Sequence, residues 1–200
     1  MVIYGFFLKL CVADRLGIIV DPTYRSPNDY GGFVHIISSI SFSFQIYADF
    51  AGYSLIAIGI GRIMGFSFGI NFIQPYFADS FRDFWRRWHI SLSSWLRDYL
   101  YIPLGGNKLG NIKKYRNIFV VMFFGGLWHG ASINFLLWGV FHGLLIIISE
   151  VLKIFIIKIP KIFKRIIVFT LVTLLWILFR SKNIEDAKIK FSRIFETNDY

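Results

Sequence analysis

Apolar positions in this chain gather into long runs separated by short basic or turn-rich connectors. Five runs stand out, at residues 2–20, 33–63, 118–128, 131–152 and 166–179, the last extended by Ile162 and Phe163. A helix that crosses a bilayer core of about 30 Å needs roughly 20 residues. The run at 33–63 is long for one untilted span, so it predicts a helix that either bends near 49–52 or extends beyond the bilayer. The stretch from 118 to 152 has 35 residues, which as one helix would reach about 52 Å. It therefore predicts a hairpin, or a steeply tilted or broken pair, with the break where Gly125, Gly126 and Gly130 surround His129. Residues 22–27 and 103–110 read as turn-rich loops. The tail after Arg180 is polar and amphipathic, either a surface element or the start of a further one. The fold class expected is all-α: a multi-pass helical membrane protein of about four to five transmembrane segments, in a single domain over 1–200.

Residues 81–101, FRDFWRRWHISLSSWLRDYLY, break this pattern. At about 100° per residue, Phe81, Phe84, Trp85, Trp88, Leu92, Trp95, Leu96 and Tyr99 form one stripe, with Arg86, Arg87, Ser94 and Arg97 off it. The pattern predicts an amphipathic helix over 79–101. Arginines at a membrane centre cost about 2.5–3.5 kcal/mol each, so such a helix lies at the interface as an anchor or is buried against a polar cavity. Asp79, Asp83 and Asp98 are available as partners, Asp83 with Arg87 at i,i+4. His89 falls where the aromatic stripe meets the basic face.

Composition supports a bilayer. The 200 residues are 56% hydrophobic and 17% charged, with 23 Phe and six Trp, and the mean hydropathy is +0.57; soluble domains carry about 25% charge. The net charge of +10 would suggest nucleic acid in a soluble protein. Here the cations cluster between apolar runs, which fits the positive-inside rule and no nucleic-acid partner. Lys108, Lys113, Lys114 and Arg116 precede the 118–152 stretch; Lys153, Lys158, Lys161, Lys164 and Arg165 follow it. Two basic connectors imply an even number of crossings between them, with both cytoplasmic. The single Cys11 excludes an internal disulfide framework and a cysteine zinc site. Residues 1–20 lack a basic n-region and carry Lys9, Asp14 and Arg15, unlike a cleavable signal.

Candidate chemistry rests on histidine. His129, in FFGGLWHGASINF, lies in an apolar run between glycines, and an intramembrane ionisable residue is a functional hypothesis. Imidazole exchanges a proton near neutral pH, which suits a general base; the other reading is a packing histidine bonded to a carbonyl. For His89 the residues alone suggest a hydrogen-bonded structural role. His35 and His142 sit in apolar runs without polar clusters, which points to packing or interface roles and is a poor metal signal. Asp49 either bonds a partner helix or lines a cavity. The chain has neither a G-x-S-x-G elbow nor a phosphate-cradling glycine loop.

Taken together, GFFLKLCVAD (5–14), QIYADFAGYSLIAIG (45–59), NFIQPYFADSFRDFWRRWHISLSSWLRDYLYIPLGGN (71–107), GLWHGASINFLLWGVFHG (126–143) and WILFRS (176–181) resemble the membrane-bound O-acyltransferases, in particular their bacterial branch of alginate O-acetyltransferases and D-alanyl-lipoteichoic acid transferases. Residues 71–107 are closer to the alginate side of that branch, which favours acetyl over D-alanyl. The resemblance implies helices around a central funnel, in the bacterial inner membrane. It implies catalytic roles for His129, of the WHG motif, and His89, of FWRRWH. The reaction implied moves an acetyl group from a cytoplasmic thioester, acetyl-coenzyme A or an acyl carrier, toward hydroxyls of an extracytoplasmic polysaccharide such as alginate or peptidoglycan. No resident cofactor or metal is expected. In that frame His129 is the general base and His89 positions or polarises a reacting group. Trp85, Trp88 and Trp128 shape a dry tunnel, and Arg86, Arg87 and Arg97 attract the anionic donor. A periplasmic acetyltransferase and further N-terminal helices are the partners implied, because family members are about twice this length; a partial, inactive fragment is one alternative and a polysaccharide or lipid transporter another. Where the family reads close to DFSGYSDMAIG, this chain has Ala51 and Leu55, which removes a serine and an acid.

Overall fold

Each apolar run becomes helix in the computed structural model of the protein, which describes residues 1–152 and 158–196. Among the described residues there is no strand, as the all-α expectation required. Lys153 of the second basic connector and residues 197–200 of the tail lie outside them. The chain divides into two compact units, residues 1–71 with 176–200, and residues 72–175.

The first unit begins with α1 (Val2–Phe6), a π-helical segment (Phe7–Ala13) and α2 (Asp14–Arg25), joined by right-handed backbone at Phe7 and Asp14. Helix α2 runs through Pro22, so the loop expected at 22–27 starts only at Ser26, whose N–H still reaches the Pro22 carbonyl at 3.1 Å. A proline costs a helix the one hydrogen bond its missing N–H would make, and near the last turn little ladder remains to disrupt. Helix α3 (Gly32–Ile63) is one continuous helix of 32 residues with no break at 49–52, about 48 Å long. It packs against α1 through small residues: a Cβ on Gly5 would lie 2.6 Å from the Gly52 carbonyl oxygen, a backbone approach that only small side chains permit. Beside that crossing, Lys9 Nζ pairs with Asp49 at 2.7 Å and with Asp14 at 2.9 Å. Asp49 thus bonds a neighbouring helical segment.

The tail forms α9 (Ile184–Phe195), following α8 (Lys161–Arg180). Asn183 caps α9 by accepting from the Asp186 N–H at 2.8 Å. Its inner face buries Ala187 and Lys190 against α3. Lys190 Nζ lies 2.9 Å from His35 Nδ1 and 3.8 Å from the centre of the Tyr24 ring, with the Thr23 and Ser38 hydroxyls at 3.4 Å. His35 Nε2 meets the Pro27 carbonyl at 3.0 Å, so the network assigns its proton to Nε2 and leaves Nδ1 to accept from lysine. Burial, and then the charge of Arg180, push Lys190 down to about 7. His35 is buried as a packing residue would be, but inside a polar cluster that its apolar run did not signal.

The second unit holds α4 (Phe81–Arg87), α5 (Ile90–Leu96), a π-helical turn (Arg97–Tyr101), α6 (Asn111–His129), α7 (Ile133–Val151) and residues 161–175 of α8. The hairpin predicted over 118–152 is present. It turns at Gly130, at φ 155, where an L side chain is strained, and Ser132 caps α7 by accepting from the Asn134 N–H at 3.3 Å. Gly125 and Gly126 lie inside α6 rather than at the break. Gly126 is where the helices cross: a Cβ there would run into the Phe135 carbonyl, and one on Gly139 into that of Met122. Helix α6 also starts earlier than its apolar run, so Lys113, Lys114 and Arg116 occupy its first turns rather than a connector. Buried Asn117 donates to the carbonyls of Leu104 and Gly106 at 3.1 and 3.0 Å and pins the 103–110 loop.

By length and composition, three helices among the described residues can cross a membrane: α3, α7 and α8. The other two expected spans are helical but carry charge, Lys9, Asp14 and Arg15 in one and Lys113, Lys114 and Arg116 in the other.

Candidate active site

The segment expected to form one amphipathic helix over 79–101 is two helices with a break at Trp88 and His89. Ser80 caps α4 by accepting from the Asp83 N–H at 3.1 Å. The Asp83 carboxylate in turn accepts from the Asp79 N–H at 3.3 Å and from Arg87 Nε at 2.9 Å, a reciprocal arrangement that fixes the first turn. Asp79 is held by Arg165 Nε at 2.8 Å. Trp88 then turns extended and His89 is left-handed, at φ 44 and ψ 57. Ser93 repairs the break: its hydroxyl donates to the Trp88 carbonyl at 3.2 Å and its N–H to that of His89 at 3.0 Å. The break shifts the phase of the aromatic stripe. Phe81, Phe84 and Trp88 are buried, whereas Trp95 and Tyr99, beyond the break, are 54% and 69% exposed.

Packing explains the break. The Trp88 ring sits edge-on to Phe72 at 5.0 Å and stacks on Phe84 at 5.6 Å. Holding that ring while α5 starts in a new direction requires the chain to reverse at the next residue. From Phe84 a run of ring contacts leads to His129. Phe84 stacks on His142 at 6.2 Å, His142 meets Trp85 at 5.0 Å and Trp138 at 4.8 Å, and Trp138 meets His129 edge-on at 5.2 Å. Trp128 stands between the two candidate histidines, 6.1 Å from the His89 ring and 5.0 Å from the His129 ring. His89 and His129 are close enough to interact electrostatically. Burial pushes His89 down to about 4, so it is neutral at neutral pH.

Two adjoining cavities meet this cluster. The larger, about 410 Å³, is lined by Arg82, Arg86, Arg97, Ser94, Tyr101 and Ile146 among others. The smaller, about 130 Å³, is a mostly apolar chamber lined by Leu92, Leu96, Gly125, Trp138 and His129 among others. Trp85, Ser93, Val121 and Met122 line both and form the shared wall. At the basic cleft Glu150, near the end of α7, pairs with both Arg82 and Lys114. Arg97 pairs with Asp98 at 2.7 Å. Arg86 has no ion-pair partner among the described residues and faces the cleft exposed.

The structure therefore brings together Trp85, Arg86, Arg97 and His129, and sets His89 and Trp128 beside them. Four residues singled out from the sequence line neither cavity, His89, Trp128, Arg87 and Trp88, and Trp128, expected to shape a dry tunnel, is 59% exposed. Arg87 lines neither cavity and is engaged by Asp83, and Trp88 is buried in the aromatic stack rather than lining a tunnel. His142 has the packing role expected. From the sequence alone no site role follows for Arg82, Ser93 and Trp138, and Gly125 reads only as part of the hairpin break. For Arg82 a signal existed, since Glu150 is the lone acid at the end of an apolar run and needs a cation.

The sequence pattern of the membrane-bound O-acyltransferase family matches residues 2–182. The chain is 43% identical, over 98% of its length, to the probable alginate O-acetylase AlgI of Pseudomonas syringae pv. tomato, and covers 38% of that protein. It is 41% identical, over 92% of its length, to the peptidoglycan O-acetyltransferase of Helicobacter pylori, covering 36% of it. It is 28% identical, over 74% of its length, to the teichoic acid D-alanyltransferase of Streptococcus thermophilus, covering 39% of it. The chain thus spans less than two fifths of the length of these relatives.

Proposed function

This chain belongs to the membrane-bound O-acyltransferase family, and from that premise we propose that it carries the histidine centre of an enzyme that moves an acetyl group from a cytoplasmic thioester to hydroxyls of an extracytoplasmic polysaccharide. The observation that supports this reading is the placement of His129: it lines a mostly apolar chamber that shares a wall with an arginine-lined cleft. In the reaction, a His129 ring nitrogen takes the proton of the acceptor hydroxyl. The hydroxyl oxygen attacks the thioester carbonyl, a C–O bond forms, the C–S bond breaks, and the thiolate leaves with the proton. Arg82, Arg86 and Arg97 attract the anionic head of a coenzyme A or phosphopantetheine donor. Neutral His89 accepts or donates one hydrogen bond that orients a reacting group. The apolar chamber excludes water, which limits hydrolysis of the acyl donor. The setting is the inner membrane, crossed several times, and the acceptors named for the relatives, alginate and peptidoglycan, set the class of polymer. A periplasmic acetyltransferase and additional membrane helices complete the path.

The test is His129→Ala in the intact gene product. Transfer of labelled acetyl from acetyl-coenzyme A to polymer should fall by about 10²–10⁴, with membrane insertion unchanged. Near-normal labelling in that variant would sink the assignment, and polymer movement without any labelling in the unaltered protein would favour a transporter.

A further inference from the structure

We propose that the ion triad of Lys9, Asp14 and Asp49 is the docking face for a partner membrane-spanning helix that presents one arginine or lysine beside Asp49. Nothing in this depends on the chemistry at His129.

Depth comes first. Asp49 lies about 26 Å from the start of α3 and about 21 Å from its end. A hydrocarbon core of about 30 Å therefore contains Asp49 wherever it falls along an upright α3, and tilt only brings more of the helix inside. The ion pairs hold the other two charges there: Lys9 Nζ is 2.7 Å from Asp49 and 2.9 Å from Asp14. Yet all three side chains are about half exposed. Charge open to lipid at that depth is costly, so ionisable residues in spanning segments face protein or water. The close approach of Gly5 to Gly52 fixes α1 on α3 and holds the triad in place before any partner arrives.

Charge decides the occupant. One acid would neutralise Lys9, and the chain departs from regular helix to supply two. Lys9 and Asp14 are five residues apart, whereas an α-helix brings i+3 and i+4 onto one face. In the π-helical segment Phe7–Ala13 the Asp14 N–H reaches the Lys9 carbonyl, which brings i+5 there instead. The result is one lysine against two aspartates, a net charge of −1. Among the described residues Arg15, the nearest cation in sequence, is exposed and pairs with neither acid. Lipid tails offer no cation at this depth. A two-fold dimer through this face would set −1 against −1, which excludes a second copy of the chain. A helix with one basic side chain completes the set. Its seat is open, since Tyr53, one turn from Asp49, is 69% exposed.

The experiment places the chain in phosphatidylcholine vesicles with fluorescent leucine–alanine peptides of about 20 residues, long enough to span. The peptides carry arginine, leucine or glutamate at the centre, and association is read by energy transfer. The arginine peptide should bind about 10-fold or more tighter than the leucine peptide, the gain of a charge-assisted contact, and the glutamate peptide should not bind. Asp14→Asn and Asp49→Asn each make the triad neutral and should abolish the preference. Lys9→Met breaks the same ion pairs but leaves both acids, and should keep it. Equal binding of the arginine and leucine peptides to the unaltered chain, or the same response in all three variants, overturns the docking face. In a Cys11→Ser background, a peptide cysteine one turn from the arginine should form a disulfide with Tyr53→Cys; without that disulfide the peptide sits elsewhere and the proposal fails. Reaction of Tyr53→Cys with a membrane-impermeant thiol reagent when no peptide is present makes the face the wall of a water-filled path, which overturns it as well.

Discussion

His89 shows what a single position contributes. A left-handed backbone costs a non-glycine residue about 1–2 kcal/mol, and histidine is among the residues that tolerate it best. The strain persists because the Trp88 stack and Ser93 fix the chain on both sides. Its ring is held neutral, with a folded value of about 4 against an ordinary 6.5. Between those values the unfolded chain binds more protons than the folded one, so His89 makes stability rise with pH from about 4 to 6.5 and fall as pH drops through that window. Ring-proton NMR should give a midpoint near 4, and His89→Asn, which keeps a residue suited to the left-handed backbone, should remove this part of the pH dependence of the unfolding midpoint. A midpoint near 6.5 would contradict the burial. The position of His89 at a seam was legible in the periodicity of the segment. Its conformation was not, because the left-handed turn answers to Phe72, Phe84 and Ser93 rather than to its own neighbours' propensities.

Among the elements, the α6–α7 hairpin carries the site. Its existence followed from length alone, since 35 apolar-rich residues exceed one bilayer crossing. Its register did not follow. Paired glycines at 125 and 126 suggested a break, yet Gly126 opposes Gly139 at a backbone crossing and Gly130 makes the turn. Two helices this close allow no Cβ at either crossing position. Gly126→Ala and Gly139→Ala should each destabilise by about 1–3 kcal/mol, read as a lowered thermal unfolding midpoint in detergent. The double variant should cost less than the sum, because both changes force the same separation. Additive losses would place the two glycines in different contacts. The amphipathic segment gives the opposite lesson. Its wheel was correct up to Trp88, and the break reset the phase for Trp95 and Tyr99.

For the whole molecule, charge makes the testable statement. Basic residues flank the hairpin at the start of α6 and the start of α8, and the positive-inside rule predicts that both ends face the cytoplasm, with an even number of crossings between them. In a Cys11→Ser background, single cysteines at Leu109→Cys and Lys161→Cys should react with a membrane-impermeant thiol reagent only from that side. Labelling from opposite sides would mean an odd number of crossings and would displace His129 from its proposed depth. The sequence by itself determined the helical class, the membrane setting, the hairpin and the histidines to watch, because apolar length, periodicity and flanking charge are local quantities set against a bilayer of known thickness. Only the tertiary structure decided which side chains share a cavity with His129. Ser93, Gly125 and Trp138 line it from three points along the chain, with Arg82 in the adjoining cleft, and that meeting depends on how closely helices cross and where a buried tryptophan forces one to break.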